Sequence, residues 1–264
     1  MPRPFLRYAG GKAGLLKDLY KHVPSDFNRY YEPFAGGSAL FFSLTPSDAL
    51  LSDFNGELMN AYRAVRDDLE GLMELLRPCP NEEAFYYEMR EKHPMELSPL
   101  EAAARFIYLN KTCFNGIYRV NSKNEFNVPF ANLKSPSICD ESTLRLSSKT
   151  LQGVEILASS FEEVLKLPQE GDFVYMDPPY IPVSSTSFVD YCKNGFGMDR
   201  QEELAGCFRD LTERGVKCVL SNADVEWIRE TYKDFNIFEV MAKRSINSNG
   251  AGRGKVGELI VRNW

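Results

Sequence analysis

Hydrophobic and polar positions follow two different rhythms along this chain. Short apolar runs at residues 30–31, 49–53, 154–158, 172–176, 217–220, 237–241 and 259–261 have the length and composition of buried strands. Helical patterns near 162–166, 200–214 and 225–233, and a short apolar stretch at 39–44, alternate with most of them. Strand and helix in alternation predict a parallel sheet covered by helices. The last two runs are joined by a Gly-rich loop without a helix, so an antiparallel end strand is expected. Between about 56 and 149 the rhythm changes to long helical patterns, such as 57–76 and 100–111, followed by a hairpin at 116–128 whose turn is Asn121-Ser122-Lys123-Asn124. The pattern therefore predicts an α/β chain. Residues 1–55 and 150–264 build the sheet domain, and residues 56–149 form an inserted helical and hairpin subdomain.

Composition narrows the chemistry. The 264 residues are 44% hydrophobic and 26% charged, which is ordinary for a globular chain and excludes disordered and fibrous classes. Six scattered cysteines contain no CxxC pair, and the two histidines, His22 and His93, stand in no ligand pattern. Zinc chemistry and imidazole base catalysis therefore lack parts, no metal is expected, and a reducing cytoplasmic location fits best. No apolar run approaches a membrane span, and the first residues lack a signal-peptide core, so a soluble protein without a membrane partner is expected.

The sharpest chemical signal is Asp177-Pro178-Pro179-Tyr180, directly after the apolar run Phe173-Val174-Tyr175-Met176. From average residue usage this tetrapeptide arises by chance in a chain of this size on the order of one time in a thousand. Two prolines fix the backbone and hold a carboxylate, a carbonyl and an aromatic ring at the C-terminal end of a strand, where ligands bind in open α/β sheets. A planar amine-bearing ring stacked on Tyr180 can donate its two N–H bonds to the Asp177 carboxylate and the Pro178 carbonyl. The plain alternative is a proline turn with a surface aspartate.

Asp-Pro-Pro-Tyr is the signature of S-adenosylmethionine-dependent amino-methyltransferases, and four further segments narrow the resemblance to the Dam-type DNA adenine-N6 methyltransferases of the alpha group. They are Phe5-Leu6-Arg7-Tyr8-Ala9-Gly10-Gly11-Lys12, Glu32-Pro33-Phe34-Ala35-Gly36-Gly37-Ser38, the region from Phe114-Asn115-Gly116-Ile117-Tyr118-Arg119 to Glu125-Phe126-Asn127-Val128-Pro129-Phe130, and Arg244-Ser245-Ile246-Asn247-Ser248-Asn249-Gly250. The resemblance implies a Rossmann-like class I methyltransferase sheet carrying a target-recognition insertion. It implies S-adenosylmethionine as methyl donor, double-stranded DNA as partner, GATC as the site, and a monomer in solution that can pair on DNA. It makes Asp177, Pro178 and Tyr180 catalytic. The donor falls to Tyr8, Lys12, Phe34, Gly36, Asp53, Phe161 and Asp177, and the third glycine of the usual turn is Ser38. DNA contacts fall to Phe114, Asn115, Ile117, Arg119, Pro129, Arg244, Ser245 and Asn247. Read without the resemblance, several of these have plainer uses: the glycine turn as a strand-to-helix connection, Asp53 with Asn55 as a helix cap, Lys12 as a surface charge, Phe161 as core, and the hairpin and the basic loop at 243–255 as solvated surface.

Rival readings keep the class and change the acceptor to cytosine N4, an RNA adenine or a protein glutamine, or make the chain a silent binding module. The glycine turn after the first strand lacks the full GxGxxG fingerprint, which argues against a nicotinamide dehydrogenase. The net charge of -6 argues against a polyanionic partner until it is resolved along the chain. Residues 1–21, 105–134 and 241–264 hold fifteen Lys and Arg against three Asp and Glu, hence +12, while the rest holds sixteen against thirty-four, hence -18. An acidic body with basic DNA-facing segments is the expectation.

Overall fold

The computed structural model describes residues 2–8, 10–181, 196–243 and 255–264. In chain order the elements are α1 (Leu16–Leu19), β1 (Tyr30–Glu32), α2 (Ala39–Leu44), β2 (Ala49–Asp53), α3 (Gly56–Asp67), α4 (Leu69–Leu76), α5 (Glu83–Glu91), α6 (Pro99–Thr112), α7 (Glu141–Leu151), β3 (Glu155–Ala158), α8 (Phe161–Val164), β4 (Phe173–Met176), α9 (Met198–Glu213), β5 (Lys217–Ala223), α10 (Glu226–Thr231), β6 (Asn236–Lys243) and β7 (Lys255–Arg262). The strands form one seven-stranded sheet in the order β3-β2-β1-β4-β5-β7-β6. Chain contacts divide the residues into two compact units, Met1–Ala13 with Gly36–Thr45 and Asp53–Ala158, and Gly14–Ala35 with Pro46–Ser52 and Ser159–Trp264. Among the described residues, no helix is long and apolar enough to cross a membrane.

The second unit holds most of the sheet. β1 pairs in parallel with β2 and β4, and β4 in parallel with β5. β7 runs antiparallel to both β5 and β6, which leaves β6 parallel to β5 and makes the C-terminal strand the reversed one. The expected mostly parallel sheet with an antiparallel last strand is therefore what forms. All four residues of β4 are buried, as their continuous apolar run requires. Reversal of β7 also has a positional effect. Its early residue Glu258 lies opposite Ala223, the last residue of β5, so β7 delivers side chains to the edge where the parallel strands end.

The first unit is mostly helical. α3 buries Leu58, Met59, Tyr62 and Val65, at helical spacing. The sequence pattern at 57–76 predicts one long helix, but the structure breaks it in two at Asp68, whose φ of -142° and ψ of 64° leave the helical region. Asp68 accepts a hydrogen bond from Gly71 N–H and so caps α4 as α3 ends. α6 opens on a reciprocal capping box between Ser98 and Glu101 with Pro99 in the first turn. It buries Arg105, whose guanidinium is held by Glu57 and by the carbonyls of Met89 and Arg90. The expected hairpin forms from isolated bridges between Cys113 and Phe130 and between Val120 and Phe126, with Asn121 N–H donating to Glu125 across the turn.

Ser98→Ala removes the hydroxyl half of the capping box, the bond accepted from Glu101 N–H, and leaves the bond from the backbone N–H of residue 98 to Glu101. It is expected to lower stability by about 1 kcal/mol, a few degrees in melting temperature for a chain of this size, measured by calorimetry.

Candidate active site

In the second unit, β4 ends at Met176 and the chain enters Asp177-Pro178-Pro179-Tyr180, in which Pro178 is buried and Asp177 and Tyr180 are part-buried. Around this turn lies a layer of polar side chains on neighbouring strands. Tyr30 of β1 donates to Glu32 at 2.7 Å, and Tyr175 of β4 shares a hydrogen bond with Ser221 of β5 at 3.1 Å, both buried. Burial, then the Asp177 carboxylate, raises the Tyr175 phenol pKa well above its ordinary value, so this hydroxyl stays protonated at working pH. Tyr180 donates its hydroxyl to Glu258 at 2.9 Å. Burial first, then Asp177 and Glu258, holds its pKa far above the usual phenol value as well.

Two buried amides reach the backbone of the same turn. Gln201 of α9 donates to the Pro179 carbonyl at 2.8 Å, and Asn222 of β5 accepts from Ile181 N–H at 3.4 Å. Asn222 also donates to Gln201 at 3.2 Å. Elsewhere in this unit Phe34, Phe161 and Phe196 form an aromatic cluster with centroid separations of 5.3 to 5.8 Å. Phe161 is only 4% exposed, and Arg200, paired with Glu162, lies over its ring.

In the first unit the glycine turn is gripped from three sides. Gly36 adopts φ +47°, its N–H donates to Asp53 at 3.0 Å, and its carbonyl accepts from the Tyr62 hydroxyl at 3.0 Å. A Cβ at Gly36 would stand 3.0 Å from the Tyr8 ring, so only glycine fits both the dihedral and the approach. Ser38 takes the left-handed conformation at φ 47° where the family's usual pattern has glycine, so the departure keeps the backbone path. Asp53 ends β2 and also accepts from Asn55 N–H at 2.9 Å. The helix cap is Asn55, which accepts from Glu57 and Leu58, and this leaves Asp53 to brace the glycine turn. Desolvation raises the Asp53 pKa, with the bonds from Asn55 and Gly36 opposing it. Lys12 is 6% exposed and donates to the Gly10 carbonyl at 2.7 Å, which rules out its reading as a surface charge.

The hairpin brings Phe114, Asn115, Ile117, Arg119 and Pro129 together in this same unit. Phe114 is 51% exposed and its N–H donates to the Pro129 carbonyl, while Asn115 adopts φ +57°. Arg119 is laid along the hairpin by a 2.7 Å hydrogen bond to Asn127. Tyr118 donates to Glu57, the carboxylate that also holds Arg105. Asn110 accepts from Arg7 N–H and donates to the carbonyls of Arg7 and Gly116, which staples the N-terminal segment to the hairpin turn. Residues 1–13 and 105–134, from two of the three basic segments, thus lie within one unit. Arg244, Ser245 and Asn247 lie outside the described residues.

Sequence reasoning missed four residues. Phe54 is 85% exposed between Asp53 and Asn55, an apolar ring at a strand end that the alternation of polar neighbours could have flagged. Gln201, Asn222 and Glu258 carried no local signal, because α9, β5 and β7 bring them to the turn only through the tertiary fold. Among the described residues no group of three His, Cys, Asp or Glu is arranged to hold a metal ion.

A protein-family model described as D12 class N6 adenine-specific DNA methyltransferase matches residues 8–246. The chain is similar to the type II methyltransferase M1.LlaDCHI of Lactococcus lactis subsp. cremoris, with 42% identity over 99% of this chain and 95% of that protein. It is 39% identical to the type II methyltransferase M.MjaIII of Methanocaldococcus jannaschii, over 99% of each. It is 34% identical to the DNA adenine methylase of Escherichia coli (strain K12), over 98% of this chain and 94% of that protein. A family match across most of the chain, full-length relatives and a mostly parallel sheet whose strand β4 leads into Asp-Pro-Pro-Tyr agree: the chain belongs to the D12-class N6 adenine-specific DNA methyltransferases.

Proposed function

We propose that this adenine-specific DNA methyltransferase takes its methyl group from S-adenosylmethionine and acts on an adenine flipped out of duplex DNA, in the sequence GATC. The observation that carries the reading is the Asp177–Tyr180 turn, set at the end of a fully buried strand with its aromatic ring tethered through the hydroxyl. Bound S-adenosylmethionine supplies a methyl group already activated by a positive sulfur. The remaining work falls to the protein.

Adenine N6 is a weak nucleophile because its lone pair is delocalised into the ring. Tyr180 offers a stacking face for the flipped base, whose unstacking costs about a few kcal/mol. Asp177 and the Pro178 carbonyl accept the two N6–H bonds, which orients the nitrogen and stabilises the positive charge it develops. On this reading Asp53 accepts from ribose hydroxyls. Its carboxylate offers about four acceptor sites, of which the Gly36 and Asn55 N–H groups use two. Phe54 presents an exposed ring beside it, and Tyr8, Lys12, Phe34, Gly36 and Phe161 complete the donor's contacts. Arg119 and Ile117 read base edges, Phe114 fills the stack left by the flipped base, and Asn115, Pro129, Arg244, Ser245 and Asn247 contact the duplex. The functional division places recognition in residues 56–149 and chemistry in 1–55 and 150–264. Full-length similarity to proteins named as adenine methylases supports this reading over cytosine N4 or RNA acceptors.

Plasmid from a methylation-deficient host is expected to become resistant, after treatment with the protein and donor, to a nuclease blocked by GATC adenine methylation. Asp177→Ala is expected to slow protection by about 10²-fold or more with an unchanged circular dichroism spectrum. A modified plasmid that is still cut at GATC would discard the site.

Ribose hydroxyls donate to the charged form of Asp53, while burial favours its neutral form. Donor affinity is therefore expected to fall as pH falls through a value above the ordinary 3.8. Asp53→Asn is expected to weaken binding of S-adenosylhomocysteine about ten- to a hundredfold at neutral pH and to remove that acid dependence, measured by calorimetry.

A further inference from the structure

The catalytic turn is held by side chains from three elements, α9, β5 and β7. Gln201 and Asn222 are both 0% exposed and hydrogen-bonded to each other. Asn222 Oδ1 accepts from Ala223 and Ile181 N–H groups, which turns its Nδ2 toward Gln201 Oε1. Gln201 Nε2 is thereby directed to the Pro179 carbonyl. These bonds fix the chain on both sides of Tyr180, at Pro179 C=O and at Ile181 N–H. What remains to Tyr180 is rotation of its own side chain, and that is limited where Glu258 Oε2 accepts its hydroxyl at 2.9 Å. Glu258 reaches this place because β7 is antiparallel and pairs Glu258 with Ala223, at the end of β5.

We propose that Glu258 is a positioning residue for methyl transfer, which fixes the face of the Tyr180 ring through its hydroxyl above a backbone immobilised by Gln201 and Asn222. The proposal rests on the reading of the Asp177–Tyr180 turn as the base site. A stacking ring has to present one face at one tilt, because N6 must meet the methyl group in line, and small misplacements of a reacting group cost about a hundredfold in rate. The carboxylate also draws the phenolic proton toward itself, which makes the ring richer in electrons and a better neighbour for the positive charge that develops on the amino group. Burial and the flanking carboxylates keep the Tyr180 hydroxyl protonated, so it remains a donor to Glu258 across the working pH range.

The test is single-turnover methylation of a GATC duplex, with enzyme and methyl-labelled donor in excess, for the full-length chain and for Glu258→Ala, Glu258→Gln, Tyr180→Phe and the double variant Tyr180→Phe with Glu258→Ala. Affinities for duplex and S-adenosylhomocysteine and melting temperatures are measured in parallel. Glu258→Ala and Tyr180→Phe are each expected to slow transfer about ten- to a hundredfold, with both affinities within about twofold of wild type. The double variant is expected to be no slower than the slower single variant, because both substitutions remove one hydrogen bond. Glu258→Gln, which still accepts from the hydroxyl, is expected to recover most of the rate. Losses that multiply in the double variant, or a Glu258→Ala effect confined to affinity or melting temperature, would overturn the proposal alone. A wild-type chain that moves no methyl group to the GATC duplex or to plasmid DNA would remove the base-site reading and the proposal with it.

Discussion

The two hydrogen-bond ladders that flank β4, to β1 on one side and β5 on the other, fix where Met176 ends and therefore where Asp177 begins. Every side chain of β4 is buried, so a slip by one residue would draw a flanking aspartate, Asp172 or Asp177, into a fully buried strand position. Two prolines then prevent the turn from extending the ladder, since neither has an N–H to donate. The carboxylate, the carbonyls and the ring of the Asp177–Tyr180 turn inherit their positions from this constraint. Side chains from α9, β5 and β7 refine it.

The first unit solves a different problem, which is to expose polar and aromatic groups without losing order. Arg105 is buried, and burial lowers its pKa, yet Glu57 and two main-chain carbonyls compensate its charge. The other oxygen of Glu57 receives Tyr118, so a hairpin with few ladder bonds of its own is anchored to α3. The cap of α3 is Asn55, and Asp53, two residues earlier, braces Gly36. Hairpin, helix cap and glycine turn are thus consecutive parts of one polar arrangement within this unit.

Much of this was legible in the chain because the signals are local. Apolar runs at 172–176 and 217–220 marked strands that the fold keeps within a few residues, and the helix at 39–44 is observed with those bounds. The loop without a helix before the last strand foretold the reversal of β7. The break at Asp68 was hidden because an aspartate there suits the polar face of one long helix as well as the cap of a second. Burial of Lys12 was hidden too, since its partner Gly10 is a backbone carbonyl and leaves no mark in side-chain pattern. Glu258, Gln201 and Asn222 become neighbours of the turn only through strand order and helix packing, which periodicity does not encode.

On the proposed function, the amino group of adenine in duplex DNA receives the methyl group. Incubating the protein with unmethylated duplex DNA and methyl-labelled S-adenosylmethionine, followed by digestion to nucleosides and chromatography, tests it most directly. Label is expected in N6-methyl-2′-deoxyadenosine. Label in N4-methyl-2′-deoxycytidine, or no label in DNA while an RNA substrate is modified, would contradict it.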